Sequence, residues 1–335
     1  MRVLLIANFS EKGGGISVQV KLLQEKLLGE GVECEILTTK GNVFQRLTSV
    51  FRILTQGREY DVFHIHACSG KGFLPAIFGI TAGRILGKRT VLTYHGGGAE
   101  VFFREKTRLV KFFLNRTSAN IVLSGFIGQV FDEYGLKYTV IPNIIDLKEQ
   151  ITTEKTHLRP YYISIRALSD TYNLECTLLA FEFVVKQNPE ATLTVLGDGP
   201  SRKSLEELVR SRGIPHVSFV GHVDNNSIYQ YLSKADVMVS SSRFDNMPVS
   251  ILEGFNAELL VIASRVGGVP YMIEDGKNGL LFDNNNAEML AEKMLYVINN
   301  QKHSLKMIET ARRTLAKYRW ENNKTMLLNL YHGNL

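Results

Sequence analysis

Short apolar runs rich in β-formers recur along this chain, and a stretch with apolar residues at helical spacing follows almost every one. From the amino end the runs are Val3 to Ala7, Val32 to Thr38, Val62 to His66, Thr90 to Tyr94 and Asn120 to Leu123. Between them lie helical patterns: Ile16, Val20, Leu23 and Leu27 on one face, then Phe73 to Leu86 and Leu109 to Ser118. Near-continuous apolar strands between amphipathic helices imply burial on both faces, as in a parallel sheet covered by helices on either side. The expected class is α/β, doubly wound and Rossmann-like.

The rhythm stops between Pro142 and Pro160, where Asn143, Asp146 and a Thr/Glu/Lys-rich stretch carry no apolar periodicity. It restarts with Tyr161 to Arg166 and continues through a helix at Leu174 to Lys186, a strand at Ala191 to Leu196, a helix at Ser201 to Arg212 and a strand at Val217 to Val220. A helix at Asn226 to Ala235 and a strand at Asp236 to Ser240 follow. The chain therefore reads as two domains, residues 1–147 and 161–318, joined by a linker at 148–160. The cleft between two such domains is the default ligand site. Residues 319–335 read as a final helix, from Trp320, that could pack back on the first domain.

Lysine and arginine exceed the acids by 39 to 33, giving a net charge of +6. That excess suits nucleic acid, anionic lipid or a phosphorylated substrate, and its diffuse spread selects none of them. Three distant cysteines, Cys34, Cys68 and Cys176, build neither a disulfide framework nor a zinc cluster. A cytoplasmic protein is expected. Val3 to Ala7 is too short for a signal peptide, and Phe73 to Leu86 is interrupted by Pro75, Gly79, Thr81 and Gly83. Any membrane contact should be peripheral, at the inner membrane face.

Ser240 to Pro270 carries the most chemistry. Asp245 and Glu253 lie with seven residues between them, in a loop and on the helix that follows, and Pro248 suits that helix's first turn. Two acids so spaced are commonly solvated surface charges. Here a strand leads in and another, Leu259 to Ala263, leads out, which places the acids at the carboxyl end of a strand, where open α/β sheets bind ligands. Free N–H groups at the helix start attract anions. A phosphorylated, hydroxyl-rich ligand such as a nucleotide sugar fits both features.

Other motifs are weaker. Gly13, Gly14 and Gly15 after the first strand can bring backbone N–H groups close to a phosphate or sugar, or form a flexible turn. The pattern is neither a dinucleotide fingerprint nor a Walker loop. His64 and His66 share one strand face, which points to structural or substrate-facing histidines. His95, before Gly96 to Gly98, and Arg166 each end a strand; an imidazole and a guanidinium there can meet substrate, and the competing readings are a satisfied histidine and a surface charge. Residues 101–115 interleave phenylalanines with basic residues, a pattern of partly buried helices and of peripheral membrane contacts alike.

Taken together, Gly13-Gly14-Gly15, the His-Ile-His run at His64, the His-Gly-Gly-Gly run at His95, Pro142 to Asp146, Arg166 to Asn173, Leu196 to Pro200, Val217 to Val223, Asp245 to Glu253 and the run from Gly267 to Phe282 resemble the group 1 family of glycosyltransferases, retaining enzymes of the GT-B fold. The resemblance covers nearly the whole chain. It implies two Rossmann-like domains facing an interdomain cleft, and a nucleoside-diphosphate-sugar donor as co-substrate. It implies further that Glu253 binds the donor ribose, that Asp245 with the backbone of Asn246 and Met247 meets the sugar hydroxyls, and that Arg166 with Val249 and Ser250, after Pro248, faces the diphosphate. Gly14 and Gly15 would also contact the donor, and His95 would act beside its sugar. The chain departs from the family in having Asp245 for glutamate, Ile144 for a common glycine, and Tyr172 and Asn173 where a lysine is usual.

The expected function is retaining, metal-independent sugar transfer, without a cofactor, to a hydroxyl of a glycan or lipid-linked acceptor in cell-envelope polysaccharide or glycolipid synthesis. No Asp-x-Asp pattern occurs. A binding protein without turnover and a nucleotide-sugar epimerase are the alternatives. Nucleic acid is not an expected partner, because no basic stripe sits on a recognisable module.

Overall fold

The computed structural model describes residues 1–11, 14–145, 155–224 and 227–334. Contacts divide the chain into two units, Met1–Asp146 with Tyr318–Leu335, and Leu147–Lys317. Gly13, Asp146, Asn226 and the expected linker over 148–154 lie outside the described residues.

The first unit runs β1 (Arg2–Ala7), α1 (Gly15–Gly29), β2 (Glu33–Thr38), α2 (Val43–Gln56), β3 (Val62–Ala67), α3 (Leu74–Leu86), β4 (Arg89–Tyr94), α4 (Ala99–Glu105), α5 (Thr107–Leu114), β5 (Ala119–Val122), α6 (Gly125–Glu133) and β6 (Thr139–Val140). Among the described residues these strands form one parallel sheet in the order β2-β1-β3-β4-β5-β6. Alternate residues of β1 feed two cores: Leu4 and Ile6 pack with α2, α3, α5 and α6, while Val3, Leu5 and Ala7 pack with α1. That two-sided burial is why the strands read as unbroken apolar runs.

Two sequence expectations change here. Helix α2 was not expected. It begins with a capping box, Asn42 accepting from the Gln45 N–H and Gln45 accepting from the Asn42 N–H. Residues 101–115 are not one helix: α4 and α5 meet at Lys106, whose φ of −123° is not helical. Phe103 is fully buried, Phe102 and Phe113 pack on Phe73, and only Phe112 of the four phenylalanines is half exposed.

The second unit runs β7 (Tyr161–Ile165), α7 (Leu174–Gln187), β8 (Thr192–Leu196), α8 (Arg202–Arg212), β9 (Val217–Gly221), α9 (Ile228–Leu232), β10 (Val237–Ser240), α10 (Val249–Asn256), β11 (Leu260–Ser264), β12 (Leu280–Phe282), α11 (Ala287–Asn299) and α12 (Gln301–Thr314). Its parallel sheet has the order β12-β11-β10-β7-β8-β9. The described end of the expected linker belongs to this unit. Leu158 is in its core, and Lys155 and Arg159 both pair with the buried Asp236 at 2.8 Å.

Helix α13 (Trp320–His332) completes the first unit. Trp320 Nε1 donates to Glu30 at 2.9 Å, Lys324 pairs with the same carboxylate, and Arg89 Nε donates to the Leu330 carbonyl at 2.6 Å. Trp320, Leu327, Leu330 and Tyr331 close the α1 side of the sheet.

Candidate functional site

In the second unit, the loops after β7, β8 and β10 gather a buried cation. Arg166 follows β7 directly, and its guanidinium pairs with the Asp245 carboxylate. The same group donates to Ser250 Oγ at 3.2 Å and Ser242 Oγ at 3.3 Å, and its Cζ lies 4.4 Å from the centre of the Tyr172 ring. Its Nε is buried without a hydrogen-bond partner among the described residues. Burial lowers the Arg166 pKa, with Tyr172 and Glu253 acting the other way. Beside its pairing with Asp245, the guanidinium thus keeps one buried N–H available to a further acceptor.

The backbone around Arg166 depends on two glycines of the Leu196 to Pro200 run, Gly197 and Gly199. Gly197 has φ +129°, and a Cβ there would overlap the Arg166 carbonyl; at Gly199 a Cβ would overlap the Leu168 carbonyl. The Arg166 N–H donates to the Leu196 carbonyl at 3.1 Å and the Gly197 N–H to the Gly221 carbonyl at 2.7 Å, which ties the ends of β7, β8 and β9 together. Only a residue without a side chain permits that approach.

Helix α10 opens beside the cation. Pro248 stands at its N-cap, with φ −65° and ψ 117°, one position before the expected first turn. Proline offers no capping side chain, so the start of the helix, at Val249 and Ser250, has no side-chain cap. Asn246 and Met247 are buried, and the Asn246 N–H donates to Asp245 Oδ1 at 2.9 Å. Asp245 therefore occupies two of the groups expected to face a ligand, Arg166 and the Asn246 N–H.

Glu253 lies one turn further along α10. Burial pushes its pKa up to about 7, the nearby Arg166 charge opposing, and its carboxylate has no hydrogen-bonding partner among the described residues. A carboxyl group with spare acceptor capacity beside a cation is suited to paired hydroxyls.

The first unit holds a histidine array. His64 and His66 stack on one face of β3 with ring centres 4.4 Å apart, and His66 stacks on His95 at 5.2 Å. His66 Nδ1 and His95 Nε2 are 2.9 Å apart; His64 is held by Thr93 Oγ1 at 2.7 Å and the Tyr331 hydroxyl at 2.6 Å. His66 Nε2 is buried with no partner among the described residues. Burial lowers all three pKa values, His64 to about 3, His95 to about 4 and His66 well below its usual range. The three rings line a cavity of about 50 Å³ together with Gln19, Thr93 and Asn143, room for a few waters. No group of three His, Cys, Asp or Glu suited to a metal ion occurs among the described residues.

The structure thus gathers Arg166, Asp245, Ser250 and Glu253 in the second unit and the three histidines in the first. Gly14 is the N-cap of α1 and Gly15 its first residue, and a Cβ at either would meet open space, so packing gives no reason for glycine there. Gly96 is different: a Cβ would press on Ser69 and Tyr94. Sequence reasoning missed Ser242 and Tyr331, and it gave no role to Tyr172 on the Arg166 guanidinium or to Gly197 beneath the Arg166 carbonyl. The Gly-Asp-Gly-Pro run was the one available signal.

Two family models match the chain, glycosyl transferases group 1 over residues 148–314 and glycosyltransferase family 4 over residues 39–149. An uncharacterized glycosyltransferase of Methanocaldococcus jannaschii is 32% identical over 38% of the chain, and the match spans 36% of that relative's length. The N-acetyl-alpha-D-glucosaminyl L-malate synthase of Bacillus anthracis is 23% identical, over 84% of this chain and 78% of its own. Among solved structures, the Anabaena protein HepE in complex with UDP-glucose superposes with a TM-score of 0.80 at 19% identity, covering 99% of this chain and 100% of that one. This last likeness is one of fold.

Proposed function

This chain belongs to the group 1 glycosyltransferases of the GT-B fold, and from that premise we propose that it moves a sugar from a nucleoside-diphosphate-sugar to a hydroxyl of a glycan or lipid-linked acceptor. The observation that carries the reading is the Arg166 guanidinium, buried with an unpartnered Nε and set against Ser250 in the first turn of a helix with no side-chain cap. A fixed cation and a helix N-terminus converge where a diphosphate's charge would lie, and both strengthen as that charge grows on the leaving group. The solved relative's UDP-glucose complex supports a donor of this class.

In this reading Glu253 accepts hydrogen bonds from the donor ribose. Asp245 exchanges Arg166 for the sugar hydroxyls when the diphosphate arrives. His95, held by His66 and neutral, is a hydrogen-bonding group for the transferred sugar. The bond from the anomeric carbon to the phosphate oxygen breaks with its electron pair going to the phosphate. The acceptor oxygen bonds the same face of the sugar, and its proton passes to the leaving phosphate. Configuration is retained, and Arg166 with the start of α10 supplies the stabilisation that a metal gives elsewhere, so no cofactor is required. We place the reaction at the cytoplasmic side of a membrane, in the synthesis of cell-envelope polysaccharide or glycolipid.

The test is acceptor-dependent release of nucleoside diphosphate from uridine- and guanosine-diphosphate sugars, with and without a chelator, and with the product's anomeric configuration read by NMR. Release in the chelator with a retained anomer is expected. Conversion of the donor without an acceptor, or tight binding with no release across a broad acceptor panel, would overturn the reading.

A further inference from the structure

We propose that the layer formed by α2, α3 and α5 is the face with which this protein lies on an anionic lipid surface. Phe44, Leu47 and Phe51 follow the spacing i, i+3, i+7 on α2 and are 75%, 64% and 68% exposed. The opposite side of the same helix supplies Ile53 to the core and the buried Ser49. The helix is therefore anchored by one face while a second, aromatic face stands in water, where it gains nothing from folding.

Neighbouring helices extend that face. Helix α3 packs against both α2 and α5, on the side of the sheet whose core includes Ile53, Ile80 and Val110. From α3 and α5 the exposed apolar side chains are Ile85, Leu109 and Phe112. Arg116 lies 3.6 Å over the Phe112 ring, so a cation rides on the exposed aromatic itself.

Charge identifies the occupant. The chain holds 33 acidic residues, yet none falls in α2, α3 or α5, which carry Arg46, Arg52, Arg84, Arg108 and Lys111. Arg52, Arg84, Arg108 and Lys111 are exposed. The carboxylates of this layer sit on α4 (Glu100, Glu105) and α6 (Asp132, Glu133), and Glu59, just after α2, is bonded to Arg2. Phenylalanine and leucine between arginines is the composition of helices that lie in a headgroup region, where apolar burial and attraction to anionic lipid act together. A second copy of the chain would set like charges against each other across a symmetric contact. Among the described residues no helix is long and apolar enough to cross a membrane, so the contact is peripheral. Of residues 101–115 only the α5 half contributes. The inference deepens the membrane-side, lipid-linked-acceptor part of the proposed function and rests on none of the donor-site residues.

The experiment is co-sedimentation of the full chain with vesicles of phosphatidylcholine alone and of phosphatidylcholine mixed with phosphatidylglycerol, without donor or acceptor. Binding to the anionic vesicles is expected, weakened by salt and by removal of the anionic lipid. The combined variant Phe44→Ser, Leu47→Ser, Phe51→Ser should lose about tenfold or more of it, and Arg52→Glu with Arg84→Glu should lose a comparable part. These side chains are exposed, so circular dichroism and the thermal midpoint should stay as in the parent. Equal binding by parent and combined variant, or no binding by the parent, would overturn the proposal. So would a dimer, seen by analytical ultracentrifugation without lipid, that the combined variant dissolves, because the face would then be a protein interface. Vesicle binding without sugar transfer, or transfer without vesicle binding, separates this inference from the proposed function.

Discussion

The Tyr172 ring lies 4.4 Å from the Arg166 guanidinium carbon, in the stretch where the family pattern has a lysine. The chain holds its cation by an aromatic face instead of adding a second cation beside it. Such stacking contributes about 0.5 to 2 kcal/mol, so Tyr172→Ala should weaken nucleoside diphosphate binding by about 2- to 30-fold. Tyr172→Phe keeps the ring and should bind as the parent does. Calorimetry with di- and monophosphates checks this, since a larger loss for the monophosphate would contradict a role through Arg166.

Gly197, at φ +129° against the Arg166 carbonyl, permits the close approach of the β7 and β8 ends. Gly197→Ala should destabilise the fold by about 1 to 3 kcal/mol. The shift should appear in urea unfolding, with diphosphate affinity falling in whatever protein remains folded. Parent-like stability and affinity would show that the loop has room the structure denies it.

Glu253 has its pKa raised from 4.5 to about 7 by burial. The folded chain therefore holds this proton more tightly than the unfolded chain. The resulting stabilisation is fully present below pH 4.5 and is lost as pH rises through 7, a span of about 3 kcal/mol at most. Glu253→Gln should be more stable than the parent at pH 8, with the gap narrowing on acidification. Donor binding should strengthen between pH 6 and 8 in the parent alone, because the ionised carboxylate is the better acceptor for ribose hydroxyls. A parallel pH dependence in the variant would remove Glu253 from the donor.

The histidine array has the opposite sign. His64 and His95 are lowered from 6.5 to about 3 and about 4, so the unfolded chain takes up their protons first. Their contribution is complete above pH 6.5 and lost as pH falls toward 4, at about 2 kcal/mol for one histidine by pH 5. His64→Gln should flatten the slope of unfolding free energy against pH in that window. No histidine inflection should appear in the turnover profile between pH 5.5 and 8, and one that His95→Gln abolished would mean that His95 carries charge.

Asp245 pairs with Arg166 in the chain without ligand. Asp245→Asn releases that cation while removing a group proposed for the sugar, so nucleoside diphosphate affinity should hold or rise while turnover falls by about 100-fold, the scale of a lost transition-state contact. Parallel losses in calorimetry and turnover would tie the acid to the phosphates instead.

The parallel strands were legible because burial on both faces leaves most of their positions apolar, the buried His64, His66, Thr90, Thr93 and Asn120 being exceptions. The short β6 and β12 carry too few residues to show it. Helix α2 stayed hidden because its phenylalanines point outward, so its apolar pattern does not report a core. In the site, Asp245, Glu253, Arg166 and His95 stood out because each follows or sits near a strand end. Tyr172 and Tyr331 did not, since an aromatic residue announces burial and not its partner; Tyr331 meets His64 across 267 positions.

That long return has a consequence for biosynthesis. The second unit is one continuous stretch, whereas the first needs Trp320–His332 to cover the α1 side of its sheet. On the ribosome the earlier-made unit must wait, one flank of its sheet bare, until the later-made one has emerged. Nascent protein should be captured by chaperones on that flank, and His64 should gain its tyrosine only after Tyr331 has left the exit tunnel.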